Sequence, residues 1–434
     1  MKGPTQLPLA VRGTVSGLTD AERALLLDRR PEDEPGVRES VAASIADVRS
    51  RGDDALRDMA RRFDGVELTA LEVPRERWAA AARALPAEVR DALAHTARNV
   101  ERFHRAQLPQ DATIETEPGV RLARRFVPLE RVGVYAPGGR AAYPSSVLMG
   151  VVAAKAAGVP EVVVCSPPGP GGEPPAAVLA AAELGGASRL FALGGAGAVA
   201  AMAFGTATVP RCAAVVGPGN RWVLEAKRQV AGHVIIDSPA GPSELLVVAE
   251  EGAPPERVAA ELIAQAEHDP DAAVALVTTS PPLLAEVEAA LSRQIAGAPR
   301  QDVVRAALAR RGALLLAASR GEALAFAQQF AAEHLAIYTA APAWDALEVT
   351  SAGTVFLGDA SSVAFGDYLT GANHVLPTGG ASRSYSGLST LTFLRSFTVQ
   401  ELDGSAASAL AEATAVLALA EGLPGHAAAA RLRG

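Results

Sequence analysis

From residue 131 onward the chain alternates. Short β-branched runs end in Gly- or Pro-rich turns, and each is followed by an Ala-rich stretch of helical character. RVGVYAPGG leads into PSSVLMGVVAAKAAG, EVVVCSPPG into PPAAVLAAAELGG, RLFALGG into AGAVAAMAFGT, and CAAVVGPGN into RWVLEAKRQVAG. Parallel strands need a crossover between them, usually a helix, so this texture predicts a parallel, doubly wound sheet over about 130–236. A second block repeats the pattern: HVIIDSPAGPSELLVVAE, PPERVAAELIAQAEHDPD, AVALVTTS, PPLLAEVEAALSRQIAG, GALLLAAS, GEALAFAQQFAAEH and LAIYTA. The expected fold class is α/β, with two doubly wound, incomplete Rossmann-like parallel-sheet domains plus helical N-terminal and C-terminal extensions. The expected boundaries are an N-terminal extension over 1–25, a discontinuous domain from 26–130 with 237–380, a second over 131–236, and a C-terminal helical tail over 381–434. Residues 21 to about 110 read as helical, with Gly65 a plausible stop; 357–390 reads as loop, and the tail as helix from about 398.

Composition narrows the class. Of 434 residues, 49% are hydrophobic and only 4% aromatic, which excludes wholesale disorder and suits helices on a buried sheet. A net charge of −8 without long like-charge blocks argues against nucleic acid and anionic membranes as partners. No uninterrupted apolar stretch approaches the ~18 residues of a membrane span; the longest, 146–159, is cut by Lys155. The N-terminus MKGPTQLPLAVRGTV lacks the apolar run of a secretion signal. Cys165 and Cys212 form neither a disulfide framework nor a thiolate zinc site. A soluble cytoplasmic protein is expected.

Three glycine turns, PGG (137–139), GGAG (194–197) and GPGN (217–220), sit where strand hands over to helix. Ligands of open α/β sheets bind at such places, but tight-turn glycines are needed in any such sheet. The histidines say more. His95 and His104 lie in charged helices and are expected at the surface. His268 follows Gln265 by three residues, so both side chains can face one object. With two further donors they could hold a zinc ion; from the pair alone, a polar helix cap is the favoured reading. Glu333 and His334 close a helix before a strand and can serve as two acid–base groups or as a helix-end pair. GDYLTGANHVLPTGG gathers Asp367, Asn373 and His374 into a glycine-rich loop, as ligand site or solvated connection. Glu421 and His426 bracket GLPG near the C-terminus, and nothing local assigns them work.

Taken together, VYAPGG, GPGN, DSPAGPSE, QAEHDP, AEHLAI, GTVFLGD, GDYLTGANHVLPTGG, SGLSTLTFLRSFTVQEL and the closing E-x-x-x-x-H resemble the histidinol dehydrogenase family over roughly residues 20–430. The resemblance implies a zinc-dependent enzyme that oxidises L-histidinol to L-histidine through the aldehyde with two NAD⁺, in histidine biosynthesis. It implies zinc ligands Gln265, His268, Asp367 and His426, one ion per subunit, the last ligand coming from the partner of an intertwined homodimer. Glu333 and His334 match the catalytic pair. Ser243, His374 and Glu421 match substrate contacts, together with the catalytic pair and the metal ligands. Tyr135 and Asn220 match NAD contacts, and Gly197 stands where the family usually carries a glutamine that touches NAD. In the implied chemistry His334 takes protons and Glu333 activates water, while Glu421 and His374 meet the polar groups of substrate and product. Two other readings remain: a zinc/NAD dehydrogenase of another amino alcohol or diol on this scaffold, and a non-catalytic metal- or nucleotide-binding homologue.

Overall fold

The computed structural model describes residues 7–30, 35–138, 142–238 and 241–434. Gly139 of the first glycine turn and Pro239–Ala240 of DSPAGPSE lie outside these, as do residues 1–6 of the expected N-terminal extension.

Two parallel sheets organise the chain. The smaller has five strands in the order Arg189–Ala192, Glu161–Ser166, Arg131–Tyr135, Ala214–Val216, Ile235–Ile236. Strand order reverses beside Arg131–Tyr135, and this switch point is where doubly wound sheets open a crevice. Tyr135 and the GPGN turn meet there. Gly217 has φ +114°, and a Cβ on it would stand 2.1 Å from the Tyr135 carbonyl oxygen, so only glycine fits. The larger sheet has six strands: Val11–Thr14, Gly312–Leu316, Ala273–Thr278, Glu244–Ala249, His334–Tyr338, Thr354–Leu357. Its middle strands are buried end to end, as expected of a sheet covered on both faces. Among the described residues no helix is long and apolar enough to cross a membrane.

Three features depart from the expected organisation. Val11–Thr14 pairs in parallel with Gly312–Leu316, so the N-terminal segment is an edge strand of the large sheet rather than an appendage. The helices Pro35–Arg51, Arg75–Ala84 and Ala87–Arg105 share one core with the small sheet, through Val41, Val48, Trp78 and Val100 against Val132, Val162 and Leu190. The sequence pattern places them with the other domain; an amphipathic stripe dictates burial but not which sheet is covered. Finally, Leu394–Leu402 is a strand, not the start of the tail helix. It pairs antiparallel with Val120–Pro128, which pairs with Ala112–Glu117. Both faces of this three-stranded sheet are largely exposed, including Ile114, Phe397 and Val399.

The tail then forms a hairpin of Gly404–Ala420 and Pro424–Arg431, closed around Ala415, Ala418 and Ala427. Leu417 is 67% exposed, Leu432 is 85% exposed, and Val416, Leu419 and Leu423 are exposed beside them.

His104 is fully buried, against expectation. It falls four residues after buried Val100, on the inner stripe of its helix. Its Nδ1–H donates to the Val100 carbonyl (2.8 Å), and its Nε2 faces the Asn373 side-chain amide (3.3 Å). Burial draws its pKa below the ordinary histidine value, against the opposing pull of the Val100 and Leu388 carbonyls. The unfolded chain therefore takes up this proton first, and stability falls as pH drops below about 6.5. The Tm advantage of the wild type over His104→Gln should narrow as pH is lowered from 7 to 5 in thermal melts; a constant gap would remove His104 from the acid limb.

Candidate active site

Glu244 opens a central strand of the large sheet, and His334 opens its neighbour; His334 pairs in register with Leu245. The catalytic candidates therefore stand at the amino end of this sheet, not at the carboxyl end where such sheets usually bind ligands. The helix Arg320–Phe330 stops before the pair, so Glu333 lies in the bend that leads into the strand and His334 opens it; neither ends the helix. Ala331, the only non-glycine residue with positive φ (50°) among the described residues, makes the turn between them, a conformation that costs an L-residue roughly 1–2 kcal/mol.

Around this corner the candidates converge. The His334 Nδ1–H donates to the Glu244 carbonyl (3.0 Å), and its Nε2 lies 3.5 Å from Asp367 Oδ1. A carbonyl only accepts, so Nδ1 carries a proton in either charge state and Nε2 is the nitrogen that gains or loses one. Glu333 Oε2 accepts the Glu244 N–H (2.8 Å) and lies 3.5 Å from His334 Nδ1. Asp367 sits on a short helix, Val363–Tyr368, inside the stretch expected to be loop. The Glu261 carboxylate caps that helix at the Val363 N–H (3.0 Å). Gln265 lies one turn after Glu261, buried, with no partner for its amide nitrogen among the described residues. The His374 Nδ1–H donates to the Asp367 carbonyl (2.8 Å), and its Nε2 faces Ser146 Oγ (3.4 Å), at the first turn of Pro144–Ala156. That helix leaves the carboxyl end of the small sheet, so the site lies between the two sheets. His268 stands at the exposed rim, within electrostatic reach of Asp367 and His334. Ser243 is half-buried next to Glu244.

The charges are interdependent. Burial pushes the Glu333 carboxyl up to about 8, against the pull of His334. Burial opposes a charge on His334, yet Glu333 and Asp367 raise its pKa to about 9. Asp367 is penalised by burial, but the contact with His334 and the charges of His334, His374 and His268 hold its carboxyl below the usual range. Burial lowers His374, and the protein packed around one side of His268 lowers it too although its edge reaches solvent, so each favours the neutral imidazole that a metal requires.

Gln265, through its amide oxygen, His268 and Asp367 form an N/O donor set that suits zinc, and among the described residues the buried amide nitrogen of Gln265 has no partner, so this side chain is not spent on the fold. Among the described residues no group of three or more His, Cys, Asp or Glu side chains is placed to hold a metal, so His426 of the same protomer does not join His268 and Asp367. Glu421 and His426 lie exposed on the C-terminal hairpin.

On the small-sheet side, Tyr135 is buried at the switch point, its hydroxyl accepting the Gly195 N–H (3.2 Å); burial pushes its pKa to about 12. Asn220 is exposed and caps the helix Arg221–Val230 by accepting from Trp222 and Val223. Gly197 is buried, and a Cβ on it would point at Met59 Sδ (2.8 Å). The GPGN turn is pinned at Gly217: its N–H donates to Asp237 Oδ2 (2.7 Å) and its carbonyl accepts from Lys227 Nζ (3.0 Å), while Lys227 and Asp237 form a buried ion pair. Burial raises the Asp237 carboxyl, partly offset by Lys227. Lys227→Met leaves that carboxylate alone and should cost about 3–5 kcal/mol in denaturant unfolding; a loss under about 1 kcal/mol would show that water reaches the pair.

Sequence reasoning does not single out Glu244, Ser146 or Arg29, which packs behind Glu244. Glu244 closes the DSPAGPSE motif, and Ser146 sits in the Pro-Ser-Ser helix start; Arg29 has no local signal.

A histidinol dehydrogenase family profile matches residues 27–434. The histidinol dehydrogenase of Halobacterium salinarum is 49% identical over 413 residues, 95% of this chain and 96% of that protein. That of Methanothermobacter thermautotrophicus is 46% identical over 408 residues, 94% and 96% respectively. The crystal structure of histidinol dehydrogenase from Elizabethkingia anophelis superposes with a TM-score of 0.94 at 33% identity, covering 99% of this chain and 98% of that one.

Proposed function

The chain belongs to the histidinol dehydrogenase family, an NAD-dependent oxidoreductase, and on that premise we propose that it oxidises L-histidinol to L-histidine in the cytoplasm as a zinc-loaded homodimer. The observation that carries the reading is the meeting of Glu333, His334, Asp367, His374 and His268 at one corner, with Gln265 buried nearby, its amide nitrogen without a partner among the described residues.

Gln265, His268 and Asp367 would hold zinc, with the partner subunit's His426 as fourth donor. When bound there, the ion supplies a Lewis-acid anchor for the substrate's amine and imidazole. NAD⁺, held at the switch point beside Tyr135 and Asn220, supplies the hydride acceptor. Ser243, His374 and Glu421 of the partner subunit would orient the substrate. In the neutral form, which the raised pKa places in the alkaline range, His334 Nε2 takes the hydroxyl proton as hydride leaves the carbinol carbon, Nδ1 being held as N–H by the Glu244 carbonyl. Glu333, whose burial raises its basicity, removes a proton from water as that water adds to the aldehyde. His334 then takes a proton from the hydrate in the second oxidation. The balance is histidinol, two NAD⁺ and one water giving the histidine carboxylate, two NADH and three protons.

Exposed apolar surface supports the dimer. A three-stranded sheet with both faces bare and a hairpin with Leu417 and Leu432 outward need a cover. A second copy of this chain supplies one and brings its own tail to the site.

The test is NADH formation from histidinol by purified protein, lost on chelation and restored by zinc. Silence from zinc-loaded dimer overturns the reading. Faster turnover of another amino alcohol than of histidinol would move the substrate but keep the chemistry.

A further inference from the structure

We propose that Arg29 and Glu244 are a positioning pair that fixes the tautomer of His334 and the aim of Glu333; this rests on the acid–base roles given to those two residues above. Glu244 touches both through its backbone alone. Its N–H donates to Glu333 Oε2 (2.8 Å), and its carbonyl accepts from His334 Nδ1 (3.0 Å). Glu244 pairs in register with Ala273 on one side, and pairing with the His334 strand begins at Leu245, so both of these backbone groups lie at the open end of the sheet.

The side chain of the same residue braces that open end. Arg29 grips the Glu244 carboxylate with two parallel bonds, Nε to Oε1 (2.9 Å) and Nη2 to Oε2 (2.8 Å). The side chains are 1% and 3% exposed. The Gly379 N–H adds a bond to Oε1 (2.8 Å). The same guanidinium donates from Nη2 to the Phe330 carbonyl (2.8 Å) and from Nη1 to the Leu26 carbonyl, and stacks 3.6 Å over the Phe330 ring. Phe330 ends the helix that leads into Glu333. One planar fork thus spans both strand starts that carry the site, and sets the distance between them.

Stability is a weak explanation for such a pair. Two desolvated charges often gain nothing over apolar groups of the same volume, whereas removing one partner is costly. Geometry is the better explanation: a bidentate fork fixes distance and orientation together. The pair is neutral as a whole and touches no reacting atom, so it acts only through Glu333 and His334.

The test uses the zinc-loaded dimer and four variants: Arg29→Lys, Arg29→Met, Glu244→Gln and the double replacement Arg29→Met/Glu244→Met. Arg29→Met and Glu244→Gln should lose about 10- to 100-fold in kcat, with the KM for histidinol and for NAD⁺ within about three-fold. Arg29→Lys should recover part of the loss. The double variant should regain Tm over Arg29→Met, because no lone charge is left buried, without regaining kcat. Nitrogen-15 spectra of labelled histidine, recorded at alkaline pH where the imidazole is neutral, should show His334 as the Nδ1–H tautomer in the wild type and as a mixture in the double variant. A kcat that returns with Tm, or a tautomer unchanged in the double variant, overturns the proposal. Should Arg29→Met not fold, Glu244→Gln and the double variant decide the same question. A wild type inactive on histidinol refutes the assigned chemistry instead, and the tautomer spectra still decide the positioning role.

Discussion

Glu333→Gln is expected to stop the reaction at the aldehyde. The amide keeps the shape of the side chain and can still accept the Glu244 N–H, and burial penalises a neutral amide less than a carboxylate. Folding and metal content should therefore survive. What is lost is the group that takes a proton from water. Removing a general base costs about 10²–10⁴-fold in the step it serves. Rapid-mixing measurements should show the first NADH formed per site at near wild-type rate and the second slowed by that factor, with the aldehyde recoverable by a carbonyl trap. Two NADH at the wild-type rate would take Glu333 out of water activation and leave His334 as the base in both halves.

The second large effect concerns the tail. His426→Ala is expected to be inactive at the metal level, since removing one of four donors lowers zinc occupancy as well as rate. Its more telling use is in combination. In the proposed dimer each site joins the core of one chain to the tail of the other. A heterodimer of a Glu333→Gln chain with a His426→Ala chain then has one site with both defects and one with neither. Random exchange in an equal mixture should restore about a quarter of wild-type activity. A site built within one chain could not be rescued in this way, and the mixture would stay dead. The exposed leucines of the hairpin and the bare faces of the three-stranded sheet are what such an exchange of tails would cover.

Much of the fold is legible in the sequence because buried parallel strands and their crossovers leave a coarse signature in apolar runs and glycine turns. Tyr135 and GPGN can be placed near each other, since a turn after a central strand has few places to go. The Gln265–His268 pair is only partly legible: Gln265 lies on the last turn of the helix, but the helix ends at Ala266 and His268 falls beyond it, so a shared helix face does not place the two. What escapes notice depends on long-range packing. Nothing in AVRGT announces that it adds an edge strand to a sheet about 300 residues later, and nothing in the early helices says which sheet they cover. Pairing of 394–402 with 120–128 joins segments nearly as far apart. His104 is misplaced by its charged neighbours, which outweigh its four-residue spacing from Val100. The location of the site at the amino end of the large sheet runs against the usual rule; it follows from the small sheet presenting its own carboxyl end across the gap, as the Ser146–His374 contact shows.

The central claim is that Gln265, His268 and Asp367 of one chain and the partner subunit's His426 share one ion next to Glu333 and His334. Anomalous diffraction at the zinc edge, from crystals of the zinc-loaded dimer, tests it most directly. One strong peak per subunit, in bonding contact with those four side chains, is the expected result. A peak elsewhere, or one bonded at this corner without a donor from the second chain, would contradict it.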